Sequence, residues 1–149
     1  IINLIRGWEF MKKPLLLSIS FSIVLFLSAC TNNTGALIKP NEYSMVIHIK
    51  NNANFDFYSI EISTDGEITG GISYADGSES QKGDTLSKEY IDQEDFNLDG
   101  KKTFKFTLIN EMEQKIPLKE ITLELATNKE YFFEIIGYSI NEASLKRIN

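Results

Sequence analysis

The chain has 149 residues, 42% hydrophobic and 24% charged, with 15 basic against 21 acidic side chains and a formal net charge of −6. That acidic balance, with no basic run, leaves no electrostatic footprint for nucleic acid or for anionic lipid headgroups. One cysteine and one histidine are too few for a disulfide framework or for a zinc site of three or four nitrogen and sulfur ligands.

In chain order, residues 1–10 precede Met11 and match no part of a secretion signal. They read as an upstream extension that is not translated, because Arg6, Gly7, Trp8 and Glu9 are encoded by purine-rich codons where a ribosome-binding site would lie. From Met11, Lys12 and Lys13 lead into an apolar run, Leu15 to Leu27. At ~13 residues it has the length of a signal h-region and is short of the ~20 that a membrane-spanning helix needs. The run closes on Leu27, Ser28, Ala29 and Cys30.

Residues 11–30 resemble a bacterial lipoprotein signal, with Leu27, Ser28 and Ala29 as its lipobox. The resemblance implies that residues 11–29 are a signal peptide cleaved before Cys30 and that the Cys30 thiol carries diacylglycerol. The protein would then be held on the extracytoplasmic face of the cell membrane. Two acyl chains anchor stably where one is marginal. With its Lys, Ile, Asn and Glu bias, the chain as a whole resembles the small lipoproteins of Gram-positive bacteria that carry a β-sandwich domain.

Three basic residues (Arg6, Lys12, Lys13) and one acidic residue (Glu9) precede Cys30, so residues 30–149 keep 12 and 20 and carry −8, with Arg147 their single arginine. These 120 residues suffice for one domain with a core and are too few for two. Residues 30–41 are polar, include Gly35 and Pro40, and read as a lipidated tether reaching ~18 Å in the root-mean-square sense.

Residues 42–149 show a period of two, the signature of half-buried strands. Tyr43, Met45, Ile47 and Ile49 alternate with Ser44, Val46, His48 and Lys50. Tyr58, Ile60 and Ile62 share one parity, as do Ile68, Ile72 and Tyr74. Phe104, Phe106 and Leu108 follow, then Ile121, Leu123 and Leu125. From Tyr131 to Tyr138 both parities are apolar, which predicts a central strand. Turn signals fall at Asn51-Asn52, Asp65-Gly66, Asp76-Gly77, Gly83-Asp84, Asp99-Gly100 and Thr127-Asn128. About seven such strands predict an all-β, immunoglobulin-like antiparallel sandwich following the signal helix. The one helical stretch expected is a turn or two near Asp92 to Phe96. A three-residue loop, Thr64-Asp65-Gly66, would pair Ile62 with Ile68 and Tyr58 with Ile72, placing Gly66 in the left-handed region.

Chemistry-bearing motifs are sparse. His48 falls on the polar parity of the first strand and is expected to face solvent. No serine lies in a nucleophile elbow or beside a lysine at catalytic spacing, and no glycine pattern resembles a phosphate-binding loop. No cofactor is expected, with Ca²⁺ the one candidate: Asp95, Asn97 and Asp99 with Gly100 match the first half of a calcium loop, and Asp92 and Glu94 could add oxygens. The twelfth position is Phe106 instead of a bidentate glutamate, so an acidic β-turn is the competing reading. Phe55, Phe57, Tyr90 and Phe132 form either an exposed aromatic patch or, the favoured reading, part of the core.

The expected function is a non-enzymatic binding or interaction module on a membrane anchor, with a protein or wall-glycan partner. Its rivals are a glycan or carbohydrate binder, recognised by exposed Tyr or Phe rings on a sheet face, and a calcium-binding or proteinase-inhibitor-like module. An inhibitor would work through an edge strand or through an uncovered apolar loop at residues 51–57.

Overall fold

Nine strands lie within residues 37–148, the part of the chain that the computed structural model describes, and the longer ones follow from alternating apolar and polar side chains. They are β1 (Ser44–Asn51), β2 (Ser59–Thr64), β3 (Glu67–Ser73), β4 (Thr85–Ile91), β5 (Gly100–Ile109), β6 (Lys115–Pro117), β7 (Ile121–Leu125), β8 (Lys129–Ile136) and β9 (Ser144–Arg147). The lipobox residues Leu27, Ser28, Ala29 and Cys30 lie outside the described residues, as do the signal segment and most of the tether. No helix among the described residues is long and apolar enough to cross a membrane.

The strands form an all-β sandwich of two open sheets. One has the order β4-β1-β8-β9. The other has the order β3-β2-β5-β6, with β7 also paired to β5. Strands β6 and β7 share one side of β5, against Thr107–Ile109 and Gly100–Phe104 respectively. All pairings are antiparallel except that of β1 with β8, which is parallel. The count exceeds the expected seven or so because β6 and β9, of three and four residues, are too short to show a period.

The core follows the predicted parity. Met45, Ile47 and Ile49 of β1 are buried with Ile60 and Ile62 of β2, Phe104, Phe106 and Leu108 of β5, and Tyr131, Phe133 and Ile135 of β8. A line of rings runs through it, with Tyr90, Phe96 and Phe104 within 5.0–6.0 Å of one another, then Phe106 at 6.4 Å from Phe104 and Phe133 at 5.8 Å from Phe106. Aromatic pairs at such spacings add about 0.5–1.5 kcal/mol each beyond the area that they bury. Burial pushes the Tyr90 hydroxyl up to about 12, partly offset by the neighbouring Thr69. That hydroxyl has no hydrogen-bond partner of normal geometry.

The β2–β3 hairpin corrects the predicted loop. Thr64 pairs with Glu67, so the loop has two residues, and Asp65 (φ 54°) and Gly66 (φ 85°) are both left-handed, as a type I′ turn requires. Ser63 then pairs with Ile68 and Ile62 with Gly70, leaving Thr69 as an extra residue in a β-bulge. The bulge changes parity within β3. Ile68 therefore points outward, 65% exposed, while Ile72 is 7% exposed and sits opposite Ile60. Gly66 is left-handed as expected, but the pairings of Ile62 with Ile68 and of Tyr58 with Ile72 do not form.

Two further findings concern β1, which lies between β4 and β8. His48 is on the outward parity but is 1% exposed. Its ring stacks on Phe132 at 4.7 Å and its Nδ1 lies 2.8 Å from the Ser87 hydroxyl, while Nε2 has no partner. Burial lowers its pKa below the ordinary 6.5, opposed by the Glu130 carboxylate. The expected solvent-facing histidine is thus overturned by the two strands flanking it. Asn51, at the end of β1, is fully buried. Its Nδ2 donates to the carbonyls of Phe55 (3.1 Å) and Ser80 (2.8 Å), and its Oδ1 accepts from the Ala53 N–H (3.0 Å).

The helical turn expected near Asp92 to Phe96 is a single hydrogen-bonded turn, with the Asp95 N–H donating to the Ile91 carbonyl (3.1 Å). A 3₁₀ turn at Ile140–Glu142 has no counterpart in the sequence reading.

Candidate functional site

A two-sheet sandwich has two sides at which edge strands of opposite sheets come together, and here the two sides differ. On one, β3 meets β4. Gly70 carries no side chain, and the Cε of Lys88 lies 2.9 Å from where a Cβ would stand, closer than a real Cβ would allow. The aliphatic stem of Lys88 therefore fills this side, with the ammonium over the Tyr90 ring at 5.3 Å.

On the other side, β7 and β9 flank an open seam of about 540 Å³. Its apolar lining is Ile121 from β7, Ile136 from β8 and Leu145 from β9, and its cations are Lys119, Lys146 and Arg147. Leu145 is buried, whereas Ile121 and Ile136 are half-buried. Glu120 is the acidic residue among those lining it. The Arg147 guanidinium lies over the Tyr131 ring at 5.3 Å, and Lys146 pairs with Glu134 at 3.3 Å. The Tyr131 hydroxyl donates to the Glu124 carbonyl, which ties β8 to the end of β7 beneath the seam.

The seam gathers residues far apart in sequence, and no sequence motif marks it. The available signal was slight: Lys119 stands beside Ile121, and Lys146 and Arg147 follow Leu145. That repeats apolar and basic residues in two short segments of an acidic chain.

The candidate calcium residues are placed as follows. The Asp95 carboxylate accepts from the Ile91 N–H (2.7 Å), and that of Asp92 accepts from the Leu98 N–H (2.8 Å) and from Gln93 Nε2 (3.4 Å). These oxygens satisfy the backbone of the turn itself. Asn97 and Asp99 are exposed beyond them. Among the described residues no three His, Cys, Asp or Glu side chains converge as a metal site.

Of the four candidate patch aromatics, Phe57 and Tyr90 are fully buried and Phe55 is half-buried against the core. Phe132 is half-buried on the outer face of its sheet, stacked on His48. The loop at residues 51–57 is covered, since Asn51, Ala53 and Phe57 are all fully buried. Among the described residues the most exposed rings are Tyr138 at 84% and Tyr43 at 65%. They lie at opposite ends of the first sheet, because β1 begins just after Tyr43 and the parallel β8 ends just before Tyr138.

No protein-family model and no curated protein matches the chain. Among solved structures, it is similar to an NMR structure of a protein from Eubacterium rectale, with a TM-score of 0.44 and 11% identity over 72% of this chain and 91% of that one. It is also similar to part of the structure of a disulfide-locked mutant of intermedilysin with human CD59. There the TM-score is 0.38 at 13% identity, over 70% of this chain and 24% of that one.

Proposed function

We propose that residues 30–149 are a non-enzymatic binding module, held at the extracytoplasmic face of the cell membrane by a lipid on Cys30. The observation carrying the binding reading is the open seam between β7 and β9. One side of the sandwich is filled by the Lys88 stem, while the other leaves Ile121 and Ile136 half-covered beneath a cationic rim. Half-buried apolar residues rimmed by charge are the usual anatomy of a protein-interaction surface. The anchoring reading rests on the lipobox sequence Leu27-Ser28-Ala29-Cys30.

Two measurements test these readings separately. Cys30→Ser should abolish incorporation of labelled fatty acid and leave an unprocessed precursor, and unchanged labelling would overturn the anchor. Cross-linking of the native protein on intact cells, followed by mass spectrometry, should capture a reproducible protein partner. Retention on purified wall glycan with no protein captured would replace the module reading with that of a glycan binder.

A further inference from the structure

We propose that the seam receives an extended, acidic segment of a partner protein, laid along β9 as an added strand. The proposal rests on the binding-module reading and gives it a surface and a partner chemistry.

The backbone supplies the first argument. The Ile148 N–H donates to the Phe132 carbonyl at 2.8 Å, which sets the phase of the β8–β9 ladder. Antiparallel neighbours exchange main-chain bonds at every second pair. The pairs Lys146 with Glu134 and Ser144 with Ile136 are therefore in the bonding phase. At Leu145 the N–H and C=O then point away from β8, toward the edge of the sheet. The Leu145 side chain is buried, 5% exposed, so this edge is held in place by the core. An extended chain laid beside it gains main-chain hydrogen bonds, the basis of recognition by strand addition.

The lining supplies the second. Alternate side chains of an added strand would point inward on the Leu145 face, toward Ile121, and outward on the face that carries Ser144, Lys146 and Ile136. Charge supplies the third. The rim collects Lys119, Lys146 and Arg147 against Glu120 in a chain whose net charge is −6. The Lys146–Glu134 pair is exposed on its lysine side, at 64%, and such surface pairs hold little energy, so a partner carboxylate can exchange into it. A long polyanion such as nucleic acid would run from this rim onto an acidic surface. A short acidic segment would not.

The test uses the full chain and a fluorescein-labelled peptide of about eight residues alternating glutamate with valine, followed by fluorescence anisotropy. Two comparators are the same peptide with lysine for glutamate and the same peptide N-methylated at alternate amides along one edge. The glutamate peptide should bind about tenfold or more tighter than either comparator, and Lys119→Glu should weaken it by about fivefold or more. Binding no tighter than that of the comparators, or unchanged by Lys119→Glu, overturns the proposal.

A photo-reactive residue placed at Thr122, beside the seam, or at Ile68, on the distant hairpin, separates this failure from failure of the module reading. Capture from Thr122 on intact cells that the glutamate peptide displaces supports the seam. Capture from Ile68 alone overturns the seam and leaves a binding module with another surface. Capture from neither overturns both.

Discussion

Asn51 should be among the most costly positions in the domain to alter, and the reason is countable. Its fully buried side chain closes three hydrogen bonds, to the Ala53 N–H and to the Phe55 and Ser80 carbonyls. It thereby fixes the loop after β1 and the segment before β4 to one point. Asn51→Ala removes all three, leaving the Ala53 N–H and the Phe55 carbonyl without partners and the Ser80 carbonyl with only the Phe57 N–H at 3.4 Å. Ala53 is buried at 0% exposure, so water cannot replace its bond, whereas Phe55 is only half-buried. At about 1–3 kcal/mol for a stranded buried group, one such group, one partly hydrated group and one weakened acceptor give a loss of about 2–4 kcal/mol. That is a large part of the 5–15 kcal/mol typical of a whole domain. Asn51→Asp keeps the acceptor for Ala53 but turns both donors into charge facing two carbonyls. Its carboxyl pKa should rise above the ordinary carboxylate range. A raised folded value contributes stability that is present in acid and lost as pH rises, so Asn51→Asp should be more stable near pH 4 than at pH 7. Urea unfolding of the parent and both variants at the two pH values measures this. A loss under ~1 kcal/mol for Asn51→Ala, or no pH dependence for Asn51→Asp, would refute the reasoning.

His48 carries the opposite sign. Burial lowers its folded pKa below 6.5, so the unfolded chain takes up the proton more readily and stability falls as pH drops below that value. As the single histidine it gives one ring-proton NMR titration, and a midpoint above 6.5 would contradict this. Tyr90→Phe deletes a buried hydroxyl without a normal partner and should leave the melting temperature unchanged or raise stability by up to about 1 kcal/mol; a loss larger than that would show that the hydroxyl is bonded. Gly137→Ala would set a Cβ 2.9 Å from the Glu142 carbonyl oxygen and 3.2 Å from the Phe55 ring, at φ 149°. It should cost about 1–3 kcal/mol more than Gly77→Ala, whose added methyl meets nothing within 4 Å. Equal losses in urea unfolding would remove the packing argument at Gly137.

Period two made β1, β2, β5 and β7 legible, and the apolar residues on both parities of β8 marked it as a central strand. In β4 the pattern is masked. Leu86, Lys88 and Tyr90 share the inward parity, opposite Ile49, Ile47 and Met45, and a lysine among core positions reads as solvent. Only the glycine at position 70 makes room for its stem, and that neighbour belongs to another strand. The hairpin shows the same limit. Left-handed geometry at Gly66 follows from glycine itself, but the bulge at Thr69 depends on β2 pairing with β5, where Ile60 and Ile62 are already fixed opposite Leu108 and Phe106. For His48 the parity was right and the exposure wrong, because burial on an outward face is decided by the strands on either side.

The seam was illegible for a related reason, and that reason bears on its function. A sandwich edge is a liability, exposing main-chain donors and acceptors that can template pairing with another chain. Folds blunt it with short strands, charges and covering side chains. Here β3 and β4 use the last of these, a lysine stem over a glycine. Strands β7 and β9 use brevity and charge, five and four residues long with Lys119, Lys146 and Arg147 about them. The net positive charge of Lys119, Lys146 and Arg147 over Glu120 disfavours pairing with another copy of the same edge and leaves pairing with an acidic strand favoured. The charges that protect this edge from its own kind therefore also select its partner. Neutralising them should convert selective binding into self-association: Lys119→Gln with Lys146→Gln should raise the apparent mass in sedimentation as it weakens the glutamate peptide. An unchanged monomer that still binds the peptide would show that the rim charges serve neither purpose.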